Sequence, residues 1–188
     1  MFQQHCHNFH TIVSTCICTD RRGDSLAPDQ AIKDIIDLLL TTKLQKRNIY
    51  LVGNGGSAAV ASHLLVDLVN GGSLRAAVLH EPSLFTCGAN DYGYAHAYSQ
   101  MLSKVAVEQD LLIAISSSGE SQNILNAVSA AKSVGCTVIT LTGFQQENAM
   151  RGQGDINIWL NSKTYGQVEV GHLFFMNAVI DQLKKKSN

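Results

Sequence analysis

The sequence predicts an α/β fold: a three-layer αβα sandwich with a central parallel sheet, preceded by an N-terminal helical extension. Three observations predict it. From Asn48 onward, short apolar runs alternate with segments of helical periodicity, the pattern of successive βαβ units. The run Leu111-Leu112-Ile113-Ala114-Ile115 is apolar at every position, as in a strand covered on both faces. Two of the runs lead directly into Gly-rich or Ser-rich loops and then into helix-forming sequence.

In chain order, residues 1–47 read as N-terminal helices. His10, Ile12, Val13 and Ile17 form an apolar stripe, and Arg21-Arg22-Gly23-Asp24-Ser25 breaks it. Pro28 and Asp29 open a second helix with Ile32, Ile35, Ile36, Leu39 and Leu40 on one face. Residues 48–188 read as the main domain, and no linker or repeat divides the chain. Residues 49–52 form a strand, 58–69 a helix and 74–79 the next strand. Helices are expected at 82–87 and 94–105, separated by Asn90-Asp91-Tyr92-Gly93. Residues 111–115 form a strand and 122–134 a helix. Strands follow at 137–141 and 156–160, and a helix over 168–184 closes the fold.

The 188 residues suffice for a substantial core without disulfides or a structural metal. A formal net charge of −1 gives no electrostatic case for a nucleic-acid partner or an acidic membrane surface. Lys184-Lys185-Lys186 reads as a solvated helix end. The five cysteines are odd in number and contain no CxxC pair, which fits reduced thiols in a cytoplasm. The N-terminus lacks a basic region followed by a long apolar one, so no signal peptide is expected, and the apolar stretch 35–40 is too short to span a bilayer.

Two loops carry the chemistry. In Gly53-Asn54-Gly55-Gly56-Ser57 the glycines permit close backbone approach, and the helix that follows offers free N–H groups to an anion. Asn54 and Ser57 add side-chain donors. In Ser116-Ser117-Ser118-Gly119-Glu120-Ser121, one serine would cap the helix, and four hydroxyls exceed that need. They suit a phosphate ester held without added charge, whereas Glu120 suits the helix N-terminus. The first loop also satisfies G-x-G-x-x-A through Gly53, Gly55 and Ala58, so a dinucleotide fold competes. No acidic residue ends the 74–79 strand, and the serine-rich loop has no role in that scheme.

With Gly88-Ala89-Asn90-Asp91-Tyr92-Gly93-Tyr94 and Val138-Ile139-Thr140-Leu141-Thr142-Gly143 between and after these loops, the chain resembles a sugar isomerase (SIS) domain. Within that family it is most similar to the phosphoheptose isomerases. The resemblance implies a flavodoxin-like SIS sheet and conversion of sedoheptulose 7-phosphate to D-glycero-manno-heptose 7-phosphate for surface polysaccharide. It implies a homotetramer with active sites between subunits. It also implies phosphate binding by Ser116, Ser117, Ser118 and Ser121, with substrate contacts from Asn54, Gly55, Gly56, Ser57, Asn90 and Asp91.

The catalytic pattern departs from the family's. The family's His and Glu, four residues apart on a helix, are His63 and Asp67 here. Its Gln and His on the last helix align with Glu169 and Asn177. Asp67 and Glu169 are candidate bases. Asn177 cannot titrate, so His172, one turn from Glu169, is the candidate replacement. His63, Asp67 and Glu169 are the candidate zinc ligands, and no other cofactor is implied. The cluster His5, Cys6, His7 and His10 has no recognised zinc spacing. The alternative to an enzyme is a non-catalytic phosphosugar-binding SIS protein, a regulator or scaffold like the family's replication-initiator-binding relative.

Overall fold

The computed structural model describes residues 1–187. Helix α1 (Phe2–Ser14) leads into strands β1 (Ile17–Asp20) and β2 (Ser25–Leu26), and α2 (Pro28–Leu44) follows. Strand β3 (Asn48–Val52) precedes α3 (Gly56–Val66), which continues into a π-helical turn (Asp67–Gly71). Next come β4 (Arg75–Val78), α4 (Pro82–Tyr92), a 3₁₀ turn (Tyr94–His96) and α5 (Ala97–Val105). The chain ends with β5 (Leu111–Ser116), α6 (Gln122–Val134), β6 (Thr137–Thr142), β7 (Ile156–Trp159) and α7 (Tyr165–Ser187).

The sheet runs β2-β1-β7-β6-β5-β3-β4. Strands β3 to β7 are parallel, in the register Ile49 to Leu111, Leu111 to Thr137 and Ile139 to Ile156. Their order is the flavodoxin-like one, and it reverses direction between β3 and β5. Period-2 geometry sends Ile49, Leu51, Ile113 and Ile115 into one core with α2, α3 and α7. Tyr50, Val52, Leu112 and Ala114 enter a second core with α5 and α6. Every residue of β5 is buried, as its unbroken apolar run requires.

The N-terminal segment differs from the helix-only expectation. Ile17 lies not on a helical stripe but in β1, which pairs antiparallel with β7 through Cys18 and Ile158. The break at 21–25 is the hairpin turn between β1 and β2, where the Asp20 carboxylate accepts the Arg22 and Asp24 N–H groups at 2.8 and 2.9 Å. Strands of four and two residues are too short to print a period of two; tertiary pairing makes them. The sheet is therefore mixed, with a parallel centre and an antiparallel edge.

No helix among the described residues is long and apolar enough to cross a membrane.

Candidate functional site: a serine-lined cavity at the sheet's switch point

The loops after β3 and β5 open at the carboxyl ends of neighbouring strands, where the strand order reverses. A Cβ on Gly53 would fall 2.7 Å from the Ser57 carbonyl, so the first loop closes this tightly only with glycine. Gly55 takes φ +55, the left-handed region. At Gly56 the close neighbour is the end of a long side chain. A Cβ there would meet the carboxylate of Glu169, which reaches across from α7 to the start of α3.

The second loop is held from inside and from behind. The Gly119 N–H donates to Ser116 Oγ (3.1 Å), and the Glu120 N–H donates to Ser118 Oγ (3.2 Å). From the loop after β6, the Gly143 N–H donates to the Ser117 carbonyl and the Met150 N–H to the Gly119 carbonyl, both at 3.0 Å. Glu120 accepts the Ala149 N–H at 2.9 Å, so this carboxylate fastens two loops together and does more than favour a helix end.

The two loops are joined to each other. Ser57 Oγ and Ser117 Oγ lie 3.5 Å apart. Asn54 and Asn123 exchange a reciprocal pair of amide hydrogen bonds, each 2.8 Å. Tyr94 donates its hydroxyl to Asn54 Oδ1 (3.0 Å), and Tyr98 donates to the Gly53 carbonyl (2.7 Å). Asn54 thus spends its carbonyl oxygen on internal partners, and its role is to hold the loops in register.

Between the loops lies a cavity of about 320 Å³. Asn54, Gly55, Gly56 and Ser57 line one wall; Ser116, Ser117, Ser118 and Ser121 line the other with Ile115. Glu169 and Tyr165 of α7 form the rest. No lysine or arginine lines it, so an anion would be held by hydroxyls and N–H groups. Glu169 is the titratable carboxyl in this cavity, and burial raises its pKa.

The family profile of the SIS domain matches residues 26–143, a span that includes β3, both loops and β6. The chain belongs to the SIS domain family. The phosphoheptose isomerase of Campylobacter concisus is 33% identical over 141 residues, 71% of this chain and 73% of that protein. That of Aliarcobacter butzleri is 35% identical over 137 residues, 70% and 72% of the two chains. A solved phosphoheptose isomerase from Francisella tularensis superposes with TM-score 0.76 at 25% identity, covering 82% of this chain and 85% of the other. The one from Neisseria gonorrhoeae gives 0.74 at 27% identity with the same coverage.

This SIS chain does not gather all the residues its sequence nominates. Asn90 and Asp91 end α4 as helix rather than as a turn. Asn90 Nδ2 donates to Asp91 Oδ1 (3.0 Å), and Asp91 lines a separate cavity of about 170 Å³ beside Lys104. The Asn90 amide, then the Cys87 thiol, hold the Asp91 carboxyl below its usual range.

His63 and Asp67 do share a helix face, with Nε2 3.4 Å from Oδ2, but His63 is 55% exposed and neither residue lines the serine cavity. Among the described residues no three His, Cys, Asp or Glu side chains are grouped to hold a metal ion. His63, Asp67 and Glu169 therefore do not fit zinc as a set within one chain, and neither do His5, Cys6, His7 and His10 on exposed α1.

His172 is corrected as well. It is fully buried, and its Nε2 lies 2.9 Å from the Thr142 carbonyl, which can only accept, so Nε2 carries the proton. Its Nδ1 is buried without a partner, and burial pushes the pKa down to about 4. It is a core histidine and cannot reach substrate. Asn177 is half-buried away from the cavity. Tyr165 and Asn123 were not foreseen. The signal for Tyr165 was its position four residues before Glu169, on the same helix face.

Proposed function

We propose that this SIS protein is a sugar-phosphate isomerase of the phosphoheptose isomerase type, converting sedoheptulose 7-phosphate to D-glycero-manno-heptose 7-phosphate, a precursor of surface polysaccharide. The observation that carries the reading is the meeting of a serine-lined anion cradle and one buried-side carboxylate, Glu169, in a single cavity. The cradle fixes the phosphate end of the sugar. That leaves the carbonyl end to Glu169, whose raised pKa makes it a stronger base once ionised. It removes the proton from the carbon next to the carbonyl and returns it to the neighbouring carbon after the enediol forms. The named activity of the relatives, at 33% and 35% identity over about three quarters of their length, agrees with this chemistry.

The same reading takes the working protein to be a cytoplasmic homotetramer. Val170 and Phe174 support assembly: four residues apart on α7, they are 55% and 56% exposed. Mass measurement in solution tests it. Zinc remains a proposal for the assembled protein, in which His63 and Asp67 would be the holding pair, and no step above passes through it.

The test is conversion of sedoheptulose 7-phosphate by purified protein, with and without added zinc. Absence of turnover in both conditions overturns the isomerase. One observation favours a second reading, saturable sugar-phosphate binding without conversion: the family's last-helix His position holds a non-titrating Asn177, and its candidate replacement His172 is buried. Detectable conversion removes that reading.

A further inference from the structure

An aldose–ketose exchange needs a hydrogen-bond donor at the carbonyl oxygen as well as a base at carbon. Glu169 answers only the second need, and His172 is sealed in the core. Apart from the cradle's own serines and Asn54, one side chain in the cavity can answer the first. Tyr165 lines the same wall as Glu169, one helical turn before it.

The protein has five tyrosines, and four of their hydroxyls are engaged. Tyr50 donates to the Val105 carbonyl (2.9 Å), and Tyr94 and Tyr98 fasten the first loop. Tyr92 accepts from Lys104 Nζ (3.0 Å). The Tyr165 hydroxyl makes no hydrogen bond with any described residue, although the residue is placed at a polar cavity. Tyr165 is 60% exposed, and its ring packs edge-on against Phe144, with centroids 4.7 Å apart at 67°. Phe144 is held at φ +57, a left-handed conformation that is an outlier for a bulky side chain. Backbone strain of this kind persists where the surrounding structure enforces it, and it clusters at functional sites.

We infer that Tyr165 is the catalytic hydroxyl that protonates the substrate's carbonyl oxygen while Glu169 removes the carbon-bound proton. The inference rests on the isomerase reading above. Glu169 takes a proton from C1 of the ketose, and the C–H electron pair becomes the C1–C2 double bond. The carbonyl pair moves to the C2 oxygen, which takes the phenolic proton and completes the enediol. The phenolate then takes the proton of the C1 hydroxyl as the C1 carbonyl forms, and Glu169 returns its proton to C2. Both side chains end as they began.

Tyr165→Phe tests this, because it keeps the ring against Phe144 and removes only the hydroxyl. Steady-state kinetics with sedoheptulose 7-phosphate are measured beside calorimetric binding of inorganic phosphate. The expected result is a kcat about 10²–10⁴-fold lower, with KM and phosphate affinity within about twofold of the parent. An unchanged kcat overturns the role. A raised KM with intact kcat overturns it too, since the hydroxyl is then a sugar contact only. Joint loss of kcat and phosphate binding overturns it by showing that Tyr165 supports the loops. A parent protein without turnover overturns the isomerase reading itself, and this inference with it.

Discussion

Helix α3 begins at the rim of the serine cavity and ends at the His63–Asp67 pair, and these two regions are built differently. At the rim, Gly53 and Ser57 are in near contact through the backbone, the two loops are joined by the Asn54–Asn123 amides, and Glu169 lies over Gly56. At the other end, the imidazole and carboxylate of an i, i+4 pair meet at 3.4 Å, the His63 side chain exposed and that of Asp67 half-buried. At the rim, burial raises the pKa of Glu169. Loop glycines and serines fix position through the backbone, so their place follows from chain order. A four-residue spacing guarantees a shared helix face but does not say which face.

The sharpest test of that contrast is Glu169→Gln, which removes the base and keeps the shape. We expect kcat to fall about 10²–10⁴-fold with little change in phosphate affinity. Turnover should also rise with pH through a pKa above the ordinary glutamate range, because burial disfavours the charged form that does the work. A variant that keeps its activity, or a parent profile already flat in that range, would place the base elsewhere.

Next in size is a stability effect of the core histidine. His172 has a folded pKa of about 4 against an ordinary value near 6.5. The unfolded chain therefore binds the proton first. Stability is full above about pH 6.5 and declines as pH falls toward 4, by roughly 3 kcal/mol in all. Denaturation midpoints measured between pH 7 and 4 check this. His172→Gln, which keeps an N–H for the Thr142 carbonyl, should flatten the decline; an equally steep curve would assign the loss to other groups.

These two residues also show what sequence can display. Glu169 and His172 are three apart; alignment with the family made the first a candidate, and a position one turn away made the second. Burial separates them: His172 belongs with Val168, Met176 and Val179 at helical spacing on the core-facing stripe of α7, while Glu169 and Tyr165 lie one face over. The strands β3 to β7 and both loops were legible because each is a local run of apolar, glycine or serine residues. Strands β1 and β2 were not, since four and two residues acquire strand character only by pairing with β7 and with each other. Asn123 and Tyr94 were invisible for a related reason: their partner, Asn54, is 69 and 40 residues away.

A smaller effect is expected at Gly119, which stands at φ +69 with Asn148 where a Cβ would project. Asn148 is buried and bonded to the Gln145 carbonyl (2.7 Å) and the Arg151 N–H (3.0 Å), so it has little room to yield. Gly119→Ala should lower stability by about 2 kcal/mol. It should also weaken phosphate binding roughly tenfold by displacing the serine loop, since about 1.4 kcal/mol is a factor of ten. Calorimetry and thermal melting read the two together; lost stability with intact phosphate affinity would detach this loop from the ligand.

The smallest effect is predicted at Asp67, and it is the one that most directly probes the comparison. Within this chain Asp67→Asn removes a partly exposed pair of the kind that contributes about 1 kcal/mol or less. The melting temperature should barely move and kcat should stay within about twofold, because the carboxylate is absent from the cavity wall. A large fall in kcat with an unchanged melting temperature would carry a specific meaning. The two ends of α3 would then serve one reaction, the pair being completed by groups outside this chain. The contrast between a finished rim and an idle helix face would then describe the isolated subunit and not the working protein. Repeating the assay across protein concentration separates the cases, since only a site shared between subunits loses turnover per chain on dilution.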